Sequence, residues 1–231
     1  MAEGSGQRRI RSYVLRSGRM TEGQKRALAK AGPAYILPYS DSVQDIGSAF
    51  PSPAPIVLEI GFGMGQATWR IAQERPEYNY LGVEVHEAGV GRLVMELSSR
   101  SISNVRIIQH DAVEVMERML APSSLWGIHL FYPDPWPKKR HNKRRILRGE
   151  ILDIMVSRLM PKGYFYFVTD IEDYALWGKD LLDGCSELEN PYGGFAGRLA
   201  WRPETKFESK AKSARRPAFE LFYSKKESSL L

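Results

Sequence analysis

From residue 56 onward, short apolar runs alternate with amphipathic stretches, and the alternation predicts the fold class. Apolar runs at 56–60 (IVLEI), 80–85, 105–109, 128–132 and 163–168 (GYFYFV) read as buried strands. Between them, helical periodicity runs over 65–74, closed by Pro76, and over about 87–100, 112–119 and 145–159. A further helix is predicted over 171–182, and a last strand over 219–223, at or near a sheet edge. Strands alternating with helices imply right-handed βαβ units, hence an α/β fold with a mostly parallel sheet and helices on both faces. Residues 40–55 (SDSVQDIGSAFPSPAP) carry no periodicity and read as a linker. They separate a basic N-terminal arm over 1–39, partly flexible, from a catalytic-sized domain over 56–231.

Composition narrows the class. With 43% hydrophobic and 26% charged residues, the chain is an ordinary globular one. No apolar run approaches the roughly 20 residues needed to span a bilayer. The basic N-terminus lacks the apolar core of a secretory signal. The lone Cys185 cannot form an intrachain disulfide, and no Cys/His group has metal spacing. A cytoplasmic protein without metal is the expectation. The net charge of +6 matters through its distribution. Residues 138–148 hold seven Lys or Arg and no acid, and residues 1–30 are also strongly basic. Two such concentrations fit a polyanionic partner, although the first block could be only a solvated tail.

Candidate chemistry gathers where predicted strands end. The turn Glu59-Ile-Gly-Phe-Gly-Met-Gly-Gln66 joins the first strand to the first helix, and Gly61 and Gly63 permit close backbone approach to a ligand. The glycine spacing departs from the dinucleotide fingerprint, which disfavours a nicotinamide oxidoreductase. Glu84 ends the second strand at the distance from the glycines where an acid meets ribose hydroxyls. Asp111 ends the third strand, placed to meet an adenine amine. With Glu59 near a cationic amino-acid end, the three acids suit S-adenosylmethionine; alternatively, each acid simply caps the helix that follows.

The densest signal is Phe131-Tyr-Pro-Asp-Pro-Trp-Pro-Lys-Lys-Arg140. Three prolines stiffen the loop, Asp134 sits within it, and Trp136 offers a stacking surface. A fixed carboxylate suits methylation of guanine N7, an unprotonated lone pair whose attack leaves positive charge on the ring. A structural alternative makes Asp134 a helix cap and Trp136 plain core.

Together EIGFGMG, GVEVHEAGVGR, the PDPWPKKRHNKRR stretch, FVTD and RPETKFE resemble the bacterial tRNA (guanine-N7)-methyltransferases, over roughly residues 10–225. The resemblance implies the class I (Rossmann-like) S-adenosylmethionine-dependent methyltransferase fold with a seven-stranded sheet, acting on guanosine 46 in the variable region of tRNA. It implies that Glu59, Gly61, Gly63, Glu84, Val85, Asp111, Ala112 and Asp134 contact the cofactor, with Asp134 catalytic. Lys138, Asp170, Thr205, Lys206, Phe207 and Glu208 would contact the substrate. Arg140, His141, Asn142, Lys143, Arg144 and Arg145 would meet the RNA. The expected partner is tRNA, with no membrane and no obligate protein partner, the chain being a monomer or homodimer. Many members carry glycines near the positions of Ala211 and Arg215, which this chain lacks.

Overall fold

A computed structural model describes residues 10–14, 18–204, 208 and 217–227. Among the described residues seven strands form one sheet: β1 (Ile56–Ile60), β2 (Asn79–Val83), β3 (Val105–Ile108), β4 (Leu125–Phe131), β5 (Leu159–Thr169), β6 (Leu188–Glu189) and β7 (Phe219–Lys225). Their order is β3-β2-β1-β4-β5-β7-β6. β1 to β5 pair in parallel; β7 runs antiparallel to β5 and to β6. The C-terminal strand thus lies one place in from the edge, which the two-residue β6 occupies.

Alternate strand residues face opposite layers, as the two-residue strand period requires. Leu58, Leu81, Ile128 and Phe165 face one core, under α4 (Ala112–Glu114), α5 (Gly149–Arg158) and α6 (Glu172–Asp183). Val57, Tyr80, Ile107 and Tyr166 face the other, under α2 (Gln66–Glu74) and α3 (Glu87–Ser99). α4 runs directly into a π turn over Val115–Met119. No helix among the described residues is long and apolar enough to cross a membrane.

Three expectations need correction. The N-terminal arm contains a packed helix, α1 (Glu22–Tyr35). Thr21 and Gln24 form a reciprocal capping box at its start, and Gln24 Nε2 donates to the Ala88 carbonyl (3.2 Å). α1 seats on α3, where a Cβ on Gly91 would lie 3.2–3.3 Å from Gln24, Leu28 and Met20. The chain then covers β3: Ile36 bridges Ile107, and the Leu37 N–H donates to the Ile107 carbonyl (2.8 Å). Second, residues 40–55 are no free tether. A 3-10 turn over Ile46–Ala49 buries Ile46, and Phe50 behind it is also core.

Third, the helix predicted over 145–159 begins only at Gly149. The basic run is a separate 3-10 turn over Lys139–Arg144. Between them Arg145, Ile146 and Leu147 turn inward and are buried, which breaks the exposed face a continuous helix would present.

Candidate active site

The parallel strands deliver their carboxyl ends to one rim, and between β1 and β4 the connections leave in opposite directions. This switch point is where open α/β sheets hold ligands. The cleft there is lined by Gly61, Glu84, Val85, Asp111, Ala112, Tyr132 and Asp134, with Ser12 and Tyr13 of the N-terminal segment across its mouth. Three of the four expected carboxylates therefore share one cavity.

Glu84 does more than face the cleft. Its Oε2 accepts from the Gly63 N–H (2.8 Å), and its Oε1 accepts from the N–H groups of Val85 (2.7 Å) and His86 (3.0 Å). The carboxylate ties the glycine turn to the end of β2. Gly61, Gly63 and Gly65 all have left-handed φ, of 68°, 56° and 70°. A Cβ on Gly61 or Gly63 would meet nothing within 4 Å, so backbone conformation, not crowding, demands glycine there. Across the turn, a Cβ on Gly89 would stand 2.2 Å from the Gly63 carbonyl, so α3 packs directly on it.

Asp111 is a helix cap that also lines the cleft. Its Oδ1 caps α4 by accepting from the Val113 N–H (2.8 Å), while the residue stays on the cleft wall. Glu59 lies one layer behind: it is 3% exposed, absent from the wall, and its Oε2 has no partner among the described residues. Burial pushes its carboxyl up to about 7; the Thr68 hydroxyl pulls the other way, and the Glu84 charge adds to the rise. Buried and partly unsatisfied, such a group fits a cationic neighbour. The donor set as a whole fits a nucleoside bearing a sulfonium charge, with no phosphate. Acids line the cleft, and among the described residues no lysine or arginine does.

The loop after β4 carries Asp134, exposed on the wall. Tyr132 and Trp136 on either side have left-handed φ of 49° and 46°. For non-glycine residues each costs about 1–3 kcal/mol, so the surroundings must hold the loop. Tyr132 N–H donates to the Val168 carbonyl (2.7 Å). Burial pushes the Tyr132 hydroxyl up, the nearby Arg202 partly offsetting it. Trp136 is no open stacking platform. Its indole donates to the Ser12 carbonyl (3.1 Å), the Arg144 guanidinium lies 4.9 Å over its ring, and His141 meets it edge-on.

Of the residues expected to meet RNA, Arg140 and Lys143 are exposed, and His141 and Arg144 half-buried. Asn142 turns toward the loop; with its amide nitrogen facing inward it donates to the carbonyls of Trp136 (3.2 Å) and Lys138 (3.3 Å). Arg145 is fully buried and pairs with Asp173, so unlike Arg140 and Lys143 it presents no exposed cation. Lys138 is exposed beside this turn, and Asp170 follows β5 on the same rim. Thr205, Lys206 and Phe207 lie outside the described residues, as do Ala211 and Arg215.

Glu208 is buried and does not present an open carboxylate. Arg202 donates to both its oxygens (2.8 and 3.1 Å) and to Glu220 (2.6 Å), which also accepts from the Tyr166 hydroxyl. The pairing is not legible in the sequence: Arg202 and Glu208 share the RPETKFE stretch, but Glu220 lies in no motif and nothing local shows that the three side chains meet. His129 in β4 is likewise buried, and burial holds its imidazole down to about 3, neutral and bonded to the Tyr164 hydroxyl (2.8 Å). It serves the core.

Residues 53–221 match the family described as "Putative methyltransferase". A tRNA (guanine-N(7)-)-methyltransferase of Thiobacillus denitrificans is 49% identical over 90% of this chain and 92% of its own. One from Nitrosospira multiformis is 44% identical over 98% of this chain and 99% of its own. Among solved structures, the 16S rRNA methyltransferase KamB shares the fold, with a TM-score of 0.54 at 11% identity, over 95% of this chain and 99% of that one. The chain belongs to this methyltransferase family, alongside the curated tRNA (guanine-N(7)-)-methyltransferases.

Proposed function

We propose that the protein transfers a methyl group from S-adenosylmethionine to N7 of guanosine in tRNA, at position 46 of the variable region. The observation that carries this reading is the meeting of Glu84, Asp111 and Asp134 in one cleft beside the exposed cations of the Lys139–Arg144 turn. The relatives' shared description as tRNA (guanine-N(7)-)-methyltransferases supports the base and the atom. Such an enzyme works in the cytoplasm.

S-adenosylmethionine, when bound, supplies an electrophilic methyl on a cationic sulfur. The glycine turn and Glu84 would hold the nucleoside end, Asp111 would meet the base of the cofactor, and Glu59 would balance positive charge from behind the turn. Guanine N7 needs no general base, because its lone pair is in the ring plane and unprotonated at neutral pH. Asp134 instead orients the guanine through its N–H edge and stabilises the positive charge that develops on the ring. Arg140, Lys143 and Lys138 engage phosphate. Asp170 closes the substrate side of the rim.

The test is methylation of bulk tRNA with labelled donor, followed by nucleoside analysis and mapping of the modified position. Label in 7-methylguanosine at position 46 is expected. Label in another base or at another atom would overturn the reading.

A further inference from the structure

Arg145 belongs to the basic run by sequence and departs from it in space. Its Nε donates to the Pro135 carbonyl (3.0 Å), one residue beyond Asp134. Its terminal nitrogen pairs with Asp173 in the first turn of α6. The guanidinium lies over the rings of Tyr174 (4.7 Å) and Trp177 (5.3 Å), both on α6. Those two residues hold the following segment in turn: the Leu147 N–H donates to the Tyr174 hydroxyl (3.3 Å), and the Trp177 indole donates to the Leu147 carbonyl (2.9 Å).

We propose that Arg145 is a positioning residue for methyl transfer: its guanidinium pins the loop bearing Asp134 to the first turn of α6, and so sets where the carboxylate stands in the cleft. The proposal rests on the methyltransferase reading above. Three observations carry it. The loop needs an anchor, since Tyr132 and Trp136 hold left-handed backbone and the three prolines offer no N–H to bond. The anchor point is the carbonyl adjacent to Asp134, so any slack reaches the carboxylate directly. Finally, α6 starts just after Asp170, so one side chain spans the two loops that flank the substrate.

The choice of arginine is specific. A planar fork can donate sideways to a carbonyl, end-on to a carboxylate, and stack on rings at the same time. A lysine keeps the charge and loses that geometry. A displacement on the order of 1 Å at a reacting group costs about 100-fold in rate, which sets the scale of the effect.

The experiment compares wild type, Arg145→Lys and Asp173→Asn. For folded Arg145→Lys, kcat on tRNA is expected to fall at least tenfold, with KM for tRNA within about twofold and the salt dependence of tRNA binding unchanged. Backbone amides across 131–144 should exchange hydrogen at least tenfold faster. Asp173→Asn leaves the Pro135 bond in place and should show a smaller loss of the same kind; it carries the test if Arg145→Lys does not fold. Unchanged kcat and unchanged exchange in folded variants would overturn the proposal. So would a flatter salt slope with kcat preserved, which would make Arg145 a phosphate contact. Hydrogen exchange needs no substrate, and wild-type activity is assayed in parallel, so failure of the functional reading would show separately.

Discussion

The Glu84 carboxylate is bound to the backbone of Gly63, joining the end of one strand to the turn that leaves its neighbour. A side chain expected to grip a nucleoside therefore also shapes the glycine turn that lines the cleft.

Glu84→Gln is expected to weaken adenosylhomocysteine binding at least tenfold by titration calorimetry, with a lower melting temperature. The amide would turn a donor toward backbone donors, and hydrogen bonds to a charged acceptor contribute about 1.5–3 kcal/mol each. Retained affinity would separate the turn from the cofactor.

Asp134→Ala removes a carboxylate that is exposed on the cleft wall. The turnover number should fall about 100-fold or more, while tRNA affinity by filter binding stays within about threefold. Undiminished turnover would remove Asp134 from the chemistry.

Glu59 predicts a pH dependence. Its folded pKa of about 7 lies above the ordinary 4.5. Between these values the native state holds more protons than the unfolded state, so stability contributed by this group falls as pH rises from about 5 to 8. Glu59→Gln should escape that fall. Urea midpoints across this range should therefore diverge in favour of the variant as pH rises; parallel curves would contradict the burial argument.

The cations of the 3-10 turn should act on RNA. Arg140→Ala with Lys143→Ala is expected to weaken tRNA binding and flatten its salt slope by about 0.7–0.9 for each phosphate no longer neutralised. An unaltered slope would show that neither side chain reaches phosphate.

Arg202→Met removes the guanidinium that bridges the buried Glu208 and Glu220. The expected loss is about 3–5 kcal/mol in urea unfolding, and Glu208→Gln with Glu220→Gln in the same chain should restore part of it. A loss below about 1 kcal/mol would mean the cluster relaxes to water.

The alternation of apolar runs and the acids at strand ends were legible because both follow from local periodicity. The fate of Arg145 was not: its counterion Asp173 stands 28 residues further on, and nothing local distinguishes it from Arg144. α1 left a trace, since Thr21 and Gln24 have capping-box spacing, but the surrounding charge favoured an arm. Likewise Ile46 and Phe50 look incidental in a Ser/Pro-rich stretch until the sheet supplies a surface for them. The depth of Glu59 behind the cleft wall was not legible, because a strand's last residues do not announce which layer they face.

The cover that Tyr35 to Leu37 lays along β3 also bears on how the chain behaves when shortened. Trimming the first forty residues as an expendable tail would uncover an open strand edge and the greasy flank of α3 together. Such a fragment is expected to self-associate on size-exclusion chromatography, whereas one starting at Gly18 should not.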